Sequence, residues 1–185
     1  VSRQFGSEYC WCSRNSFLPT NDWWMNMKES MTPRLEIKIQ TSDFDINAEV
    51  KRLTQTRNQI GAVIAFLGLV RDLSRNSDLK FMEIEHYPQM SEKALKEICL
   101  KAASRWQLDG ISLTHRVGRF YPGENIVLVL ISSAHRGNAF NASEFVMDFR
   151  KSKAPFWKKE TTKSGSTWVN GTASDEKKLN RWLKI

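Results

Sequence analysis

The sequence predicts an α+β fold built around a mixed β-sheet. Segments with the two-residue period of strands, such as Leu35 to Ile39, interleave with segments of helical spacing, such as Ile46, Val50 and Leu53. Several neighbouring predicted strands are joined by links shorter than the roughly twelve residues that a parallel crossover needs. We therefore expect antiparallel pairs alongside parallel ones.

Two strands and a helix are predicted in the middle of the chain. Gly61 to Leu69 is a continuous apolar run, which predicts a buried strand, whereas Lys80 to His86 alternates between apolar and polar residues. The polar segment Arg71 to Asp78 between them predicts a loop. Ser91 follows Pro88 and is the expected N-cap of the helix. The residues on its inner face are Ala94, Leu95, Ile98, Cys99 and Ala102.

The following segment contains the strand that is expected at the centre of the sheet. Ile111 to Val117 and Ile126 to Ser133 are predicted strands around a turn at Tyr121-Pro122-Gly123, and the second is too apolar for a surface position. A helix is expected from Asn138 until Pro155 stops it. The chain is completed by short strands around Trp157 and Trp168 and a helix from about Ser174 to Leu183.

The composition indicates a globular protein that favours anionic partners. Of the 185 residues, 41% are hydrophobic and 26% are charged, which is too apolar for wholesale disorder. The longest apolar run, Gly61 to Val70, is about half of the ~20 residues needed to cross a bilayer. The net charge of +8 favours phosphates, nucleic acid or an acidic protein as partners.

The first thirty residues differ from the rest of the chain. They show no sustained helical or strand period and lack the features of a secretory signal, so we predict a poorly ordered extension, 1–30, before the working domain, 31–185. The cysteines Cys10, Cys12 and Cys99 form no paired framework, which indicates the cytoplasm. No metal is expected, because no further ligand lies near Cys10 and Cys12 and the three histidines are scattered. His86 and His115 are expected to be structural.

A polar corner, residues 133–138, joins the predicted central strand to the next helix. The free N–H groups and the positive end of a helix dipole attract an anion, to which His135 and Arg136 add donors. The alternative is that His135 caps the helix and Arg136 pairs with a surface carboxylate. Arg71, at the exit of the predicted strand 61–69, either binds phosphate through its planar guanidinium or is the first solvated residue of the loop.

A basic segment, residues 150–163, surrounds the aromatic corner Ala154-Pro155-Phe156-Trp157. Because Pro155 bends the chain, Lys151 at the helix end and Lys158 in the next extended segment are expected to converge on one pocket. Two ammonium groups held close together lower the pKa of at least one of them, which suits a general base or nucleophile. The alternative is a solvated face whose lysines complement the helix dipole.

Five sequence blocks occur in a recognisable order. The two most specific are Ser133-Ala134-His135-Arg136 and Lys151-x-Lys153-Ala154-Pro155-Phe156-Trp157-Lys158-Lys159-Glu160. The others are Phe66-x-Gly68-x-x-Arg71, Glu85-His86-Tyr87-x-x-Met90 and His115-Arg116-x-Gly118. In order and spacing, over about residues 35 to 170, they resemble the large, catalytic subunit of molybdopterin synthase.

The resemblance implies an α/β-hammerhead fold with a mixed sheet and an additional small antiparallel β subdomain. It also implies a cytoplasmic sulfurtransferase whose central homodimer is flanked by two copies of a small ubiquitin-like sulfur carrier, as a heterotetramer. The carrier ends in Gly-Gly, activated as a thiocarboxylate, and gives its sulfur to cyclic pyranopterin monophosphate. Two transfers make the dithiolene of molybdopterin, and the resemblance implies no metal or organic cofactor for this step.

The resemblance also implies roles for individual residues. Lys151 and Lys158 match the family's two active-site lysines, which lie near the carrier's terminal glycine and the substrate. Our hypothesis is that Lys151 stabilises the oxyanion at the thiocarboxylate carbon or transfers protons, while Lys158 assists opening of the cyclic phosphate. The matches to substrate-binding positions are His135, Arg136 and Arg71 for the pterin and phosphate, and Phe66 and Met147 for the pocket wall.

Two positions depart from the family pattern. Leu69 stands where many relatives have a polar or basic residue, and Thr172 stands where some bacterial relatives supply an arginine across the dimer interface. Neither contact is claimed for this chain. The alternative function is a basic module that binds single-stranded nucleic acid, with Phe156 and Trp157 as stacking platforms. Because the positive charge is concentrated beside the proline-aromatic corner, the sequence favours a pocket over a groove.

Overall fold

The structure is a computed structural model that describes residues 32–55, 57–71, 79–169 and 173–183. The predicted extension 1–30, most of the predicted loop 71–78 and Thr172 lie outside these ranges. The elements in chain order are β1 (Arg34–Gln40), α1 (Ile46–Thr54), β2 (Ala62–Leu69), β3 (Leu79–His86), α2 (Pro88–Arg105), β4 (Gly110–Arg116), β5 (Gly118–Phe120), β6 (Asn125–Ser133), α3 (Arg136–Lys153), β7 (Phe156–Thr162), β8 (Gly165–Val169) and α4 (Ala173–Leu183). Among the described helices, none is long and apolar enough to span a membrane.

The main sheet has the order β1-β4-β6-β2. β1 is parallel to β4, whereas β4 and β2 both pair with β6 in antiparallel fashion. This confirms the predicted mixed sheet. β6 is an interior strand, as predicted, because its residues alternate between two buried faces. Val127, Val129 and Ile131 join the larger core under α2 and α3, and Leu128 and Leu130 pack with Leu53 of α1 on the opposite face.

The prediction that the segment 61–69 is a buried strand is wrong. β2 forms an edge of the main sheet, and Phe66 and Leu69 are exposed on it. An unbroken apolar run indicates that a strand contacts a hydrophobic core. It does not report whether the strand has neighbours on both sides. The described chain therefore carries an apolar sheet edge.

The second sheet has the order β5-β3-β7-β8, and all its pairs are antiparallel. It confirms the additional antiparallel β subdomain. In the β3–β7 register, His86 lies opposite Phe156 and Ile84 lies opposite Lys158. Since side chains alternate along a strand, Phe156 and Lys158 project from the same face of β7.

Two helices begin earlier than the sequence predicts. α2 begins at Pro88, so Ser91 is not its cap but a buried residue inside it, whose hydroxyl donates a hydrogen bond of 3.1 Å to the carbonyl oxygen of Pro155. α3 begins at Arg136 rather than Asn138. Its end at Lys153 agrees with the prediction, because Pro155 disfavours helical geometry in the residue before it.

Candidate active site

Four of the site residues predicted from the sequence, namely His135, Arg136, Lys151 and Lys158, lie near the two ends of α3. This helix of 18 residues is about 27 Å long, at a rise of about 1.5 Å per residue. His135 is its N-cap and Lys151 lies in its last turn, so their Cα atoms are about 24 Å apart. Within one chain, His135 and Arg136 are therefore not brought together with Lys151 and Lys158. These residues therefore form two separate sites in a single chain.

The N-terminal end of α3 borders an open cleft of about 370 Å³. It is lined by Gly61, Ala134, His135, Arg136 and Gly137. The backbone N–H of His135 donates a hydrogen bond of 3.2 Å to the hydroxyl of Ser133, and the described structure contains no capping hydrogen bond from the His135 side chain. The exposed imidazole and guanidinium stand beside the N–H groups of the first helical turn. This arrangement suits a phosphate or another anion.

Gly61 lets the chain before β2 approach this cleft closely. Its N–H donates a hydrogen bond of 3.1 Å to the carbonyl oxygen of Ser133. A Cβ atom at position 61 would collide with the carbonyl oxygen of Ala134, which is rigid backbone. The position of the corner that carries His135 and Arg136 therefore depends on the absence of a side chain at Gly61.

The C-terminal end of α3 gathers three cations beside a carboxylate. Arg150 and Lys151 occupy the last turn of α3, and the chain bends at Pro155 so that Lys158 of β7 returns towards them. The ammonium nitrogen Nζ of Lys151 lies 3.7 Å from Oδ1 of Asp175 in α4. The two lysines thus share one end of the helix, as their spacing around the proline predicts.

The Lys158 amine is altered by these surroundings. Burial lowers its pKa from the ordinary value, and the positive charges of Arg150 and Lys151 lower it further. Asp175 and Glu160 oppose this shift. A lysine with a lowered pKa is deprotonated more often near neutral pH, which proton transfer requires. The surroundings of Lys158 at this end of α3 therefore favour the neutral form of its amine more than water does.

Arg71 belongs to the end of the molecule that holds the lysines. β2 runs antiparallel to β6, so that Leu69 at its end pairs with Asn125 at the start of β6. α3 follows β6 directly and packs back against both strands, so its last turn returns to this end of the sheet. Arg71 and Leu69 are exposed there. The structure thus groups Arg71 with Lys151 and separates it from His135.

The two predicted wall residues differ in exposure. Met147 is 8% exposed and lies on α3, three and four residues before Arg150 and Lys151, which places the three residues on neighbouring positions of the helix surface. Phe66 is 37% exposed on the edge strand β2. Met147 is therefore close to the lysine end, whereas Phe66 lies midway along the sheet edge.

Comparison with known proteins identifies the family. The family model of the MoaE protein matches residues 39–153. The chain belongs to the MoaE protein family. The chain is similar to the molybdopterin synthase catalytic subunit of Ralstonia nicotianae, with 51% identity over 146 residues, 79% of this chain and 83% of that protein. The family resemblance carried by the five sequence blocks is thereby confirmed.

Solved structures of MoaE relatives have the same fold. The molybdopterin biosynthesis MoaE protein from Burkholderia ambifaria is 48% identical, with a TM-score of 0.70, and the match covers 80% of this chain and 98% of that one. A protein–protein complex of subunits 1 and 2 of the molybdopterin-converting factor from Helicobacter pylori is matched at 18% identity, with a TM-score of 0.59 over 74% of this chain and 90% of that one. At this identity the second match reports the fold alone.

Sequence reasoning missed two residues at the lysine end of this MoaE chain. Arg150 is 6% exposed, and its Nη1 lies 3.0 Å from Nε2 of the fully buried His115. Burial lowers the pKa of the Arg150 guanidinium to about 10, so it stays charged at neutral pH, while burial and the charge of Arg150 lower the pKa of His115 to about 3. The signals were present in the sequence, since Arg150 adjoins Lys151 and His115 opens one of the five blocks.

The described residues of this MoaE chain offer no metal site. No group of three or more His, Cys, Asp and Glu side chains in residues 32–55, 57–71, 79–169 and 173–183 could hold a metal ion. Cys10 and Cys12 lie outside these ranges. Cys99 is buried in α2, where burial raises the pKa of its thiol to about 12. Its thiol therefore stays protonated and unreactive.

Proposed function

We propose that this chain is the catalytic subunit of a molybdopterin synthase, a sulfurtransferase that forms the dithiolene of molybdopterin. The observation that carries the proposal is the meeting of Lys151 and Lys158 at the C-terminal end of α3, within the block Lys-x-Lys-Ala-Pro-Phe-Trp-Lys-Lys-Glu. The relative from Ralstonia nicotianae, which bears that enzyme's name, supports it.

The reaction transfers sulfur in two rounds. In each, the thiocarboxylate sulfur of a carrier forms a bond to a side-chain carbon of cyclic pyranopterin monophosphate while that carbon loses its bond to oxygen. The oxygen leaves as the phosphate ester oxygen in one round and as water in the other, and the resulting thioester is hydrolysed. Water then supplies the oxygen of the carrier's new carboxylate, and the sulfur stays on the pterin. The cyclic phosphate opens to a monoester during the sequence, which needs a proton at the leaving oxygen.

Each lysine has a task that suits its environment. Lys151 is half-exposed and paired with Asp175, so its charged ammonium group is available to stabilise the oxyanion of the tetrahedral intermediate. Lys158 is more enclosed, and its lowered pKa suits the exchange of protons while the cyclic phosphate opens. Arg71, at the same end of the sheet, supplies a guanidinium for the phosphate.

The two ends of α3 are united in a homodimer. His135 and Arg136 form an anion-binding corner about 24 Å from Lys151 of the same chain. A second copy that presents this corner to the lysine end completes each site, and the two-fold symmetry of a homodimer makes two such sites. This arrangement explains why His135 and Arg136 lie so far from Lys151 in a single chain.

The sulfur donor is a small ubiquitin-like carrier that ends in Gly-Gly. Family membership supports such a partner. With two copies of each protein, the assembly is a heterotetramer that works in the cytoplasm. The buried, protonated thiol of Cys99 is consistent with a reducing compartment.

Reconstitution tests the proposal. The purified chain is incubated with thiocarboxylated carrier and cyclic pyranopterin monophosphate, and the dithiolene product is assayed after conversion to its fluorescent oxidised derivative. We expect product in proportion to the carrier consumed, about two carriers per product, and none with a carrier that ends in an ordinary carboxylate. Absence of product, together with salt-sensitive retention of single-stranded nucleic acid, would instead favour the nucleic-acid-binding module.

A further inference from the structure

Arg150 is a buried cation for which the proposed chemistry gives no role. It lies in the last turn of α3 beside Lys151, yet it is only 6% exposed, whereas the side chain of Lys151 is 46% exposed. Its Nε atom has no hydrogen-bond partner within the described residues. Burying a guanidinium with one N–H unsatisfied costs free energy. A core position would be filled more favourably by an apolar side chain.

A neutral histidine anchors this guanidinium. Nδ1 of His115 lies 2.8 Å from the carbonyl oxygen of Arg116, and Nε2 lies 3.0 Å from Nη1 of Arg150. A carbonyl oxygen only accepts and a guanidinium only donates, so Nδ1 carries the proton and Nε2 offers its lone pair. The contact with Arg150 exists only while the imidazole is neutral, because a protonated Nε2 cannot accept a hydrogen bond.

Aromatic packing fixes the histidine in turn. The His115 ring is stacked on Phe156, with ring centroids 4.0 Å apart and an interplanar angle of 9°. His86 of β3, the strand that pairs with β7, also stacks on Phe156, with ring centroids 6.0 Å apart. Phe156 projects from the same face of β7 as Lys158. A rigid chain of contacts therefore runs from Arg150 through His115 and Phe156 to the strand that carries Lys158.

Among the described residues, the charged and titratable groups around Lys158 come from five elements. They are Arg150 and Lys151 of α3, Asp175 of α4, Glu160 of β7, His115 of β4 and His86 of β3. The imidazole of His115 is neutral, and Lys151 is exposed and screened by solvent. Arg150 is thus the positive charge near Lys158 that is both buried and fixed in place.

We infer that Arg150 is a positioning residue, whose guanidinium, held by neutral His115, is the fixed charge that keeps the Lys158 amine ready to exchange protons. The buried positive charge at the end of α3 thereby favours the neutral, reactive form of the Lys158 amine on β7. The consequence for sulfur transfer rests on the proposed function, but the effect on Lys158 is a property of the chain alone.

Amine labelling of the isolated full chain tests the inference without any substrate. Acetic anhydride acylates only neutral amines, so the rate at Lys158, read by peptide mass spectrometry from pH 6 to 11, gives its midpoint of deprotonation. Arg150→Met keeps the bulk and removes the charge, and we expect the midpoint to rise by on the order of one pH unit. Arg150→Lys restores a cation and should recover most of the wild-type midpoint.

A matched control separates this effect from a change in overall charge. Lys153→Met removes a cation from the same helical turn, but Lys153 is exposed, and we expect the Lys158 midpoint to stay as in the wild type. A folded Arg150→Met protein with an unchanged midpoint, or an equal rise in Lys153→Met, would overturn the inference. Loss of synthase activity in every variant, with the midpoints behaving as expected, would count against the proposed function instead.

A measurement on the wild-type chain covers the case in which Arg150→Met does not fold. Nitrogen NMR of the histidine rings should find His115 neutral, with its proton on Nδ1, down to about pH 4, because its pKa is lowered to about 3. A His115 that becomes protonated near pH 6.5 would not be buried beside a cation, and one that carries its proton on Nε2 could not accept a hydrogen bond from Arg150. Either result would refute the arrangement.

Discussion

The indole Nε1 of Trp182 donates a hydrogen bond of 2.9 Å to Oδ2 of Asp148, and this bond joins α4 to α3. The Trp182 ring is buried and packs edge-on against Phe145, with centroids 5.4 Å apart. Because Asp175 belongs to α4, the bond helps to hold its carboxylate beside Lys151. The family model ends at residue 153, yet the helix beyond it contributes to the charge at the lysine site.

Trp182→Phe should destabilise the fold by about 1 to 2 kcal/mol, because the ring contacts are partly kept while the hydrogen bond is lost. Arg181 also bonds to Oδ2 of Asp148, so the carboxylate keeps a partner and the loss stays moderate. Urea unfolding measures the effect. The control is Trp168→Phe on β8, where the ring is 52% exposed and we expect a change within about 0.5 kcal/mol. Equal losses in both variants would contradict the assigned bond.

Lys151→Ala and Lys158→Ala should each lower synthase turnover by roughly a hundredfold, since each removes one positioned catalytic group. Dithiolene formation under saturating carrier and substrate measures this. Lys153→Ala removes an exposed lysine from the same turn of α3 and should retain most of the activity. A Lys158→Ala enzyme that works at the wild-type rate would remove this residue from the mechanism.

Mixed dimers should recover activity that neither parent has. His135→Ala and Lys158→Ala chains are each inactive alone, but a dimer containing one of each has one site with His135 and Lys158 both intact. Random mixing of equal amounts should restore roughly a quarter of wild-type activity. The dithiolene assay on the mixture measures it, and the mixed dimer purified through a different affinity tag on each chain should reach roughly half of wild-type activity. If each site is built within one chain, the mixture stays inactive.

His115 should make the fold sensitive to acid. Its pKa is about 3 in the folded chain, below its ordinary value of 6.5, so the unfolded chain binds the extra proton between these values. The stabilisation is complete above pH 6.5 and is lost as the pH falls towards 3, by up to ~1.4 kcal/mol per pH unit. Urea unfolding from pH 7 to 4 should be less pH-dependent in His115→Gln. The exposed His135→Gln is the control, and a similar flattening there would count against a special role for His115.

Gly61→Ala should disturb the corner that carries His135 and Arg136. The new Cβ meets the carbonyl oxygen of Ala134, so the backbone must shift, at a cost of about 1 to 3 kcal/mol in the free energy of unfolding. Gly137→Ala is the matched control on the same cleft. A Cβ there meets no atom within 4 Å, and alanine in the first turn of a helix should stabilise by roughly 0.5 kcal/mol. Thermal unfolding of the two variants should therefore move in opposite directions.

Local signals in the sequence predicted the features that depend on nearby residues. The apolar run 126–133 predicted the interior strand, and Pro155 predicted both the end of α3 and the return of Lys158 towards Lys151. These features follow from chain periodicity and from the geometry of proline. The length of the predicted helix before Pro155 also indicated two separate sites, since a helix of that length keeps His135 far from Lys151.

Contacts between distant segments could not be predicted in the same way. The bond between Arg150 and His115 joins residues that are 35 positions apart, and it depends on how β4 pairs within the sheet. The edge position of β2 likewise depends on which strands pair and not on the apolar run itself. Ser91 was mistaken for a helix cap because its partner, the carbonyl oxygen of Pro155, comes from a segment 64 positions away.

The length of α3 sets the spacing between the sites at its two ends. Arg136 and Lys151 lie on the same helix. Inserting a single residue between them would therefore rotate one end by about 100° relative to the other and lengthen the helix by about 1.5 Å. In the proposed homodimer, the lysines would then face a different direction from the corner of the second subunit. Substitutions on the exposed middle of this helix are tolerable, but insertions and deletions are not, and its residue count should vary far less among working enzymes than that of the surface loops.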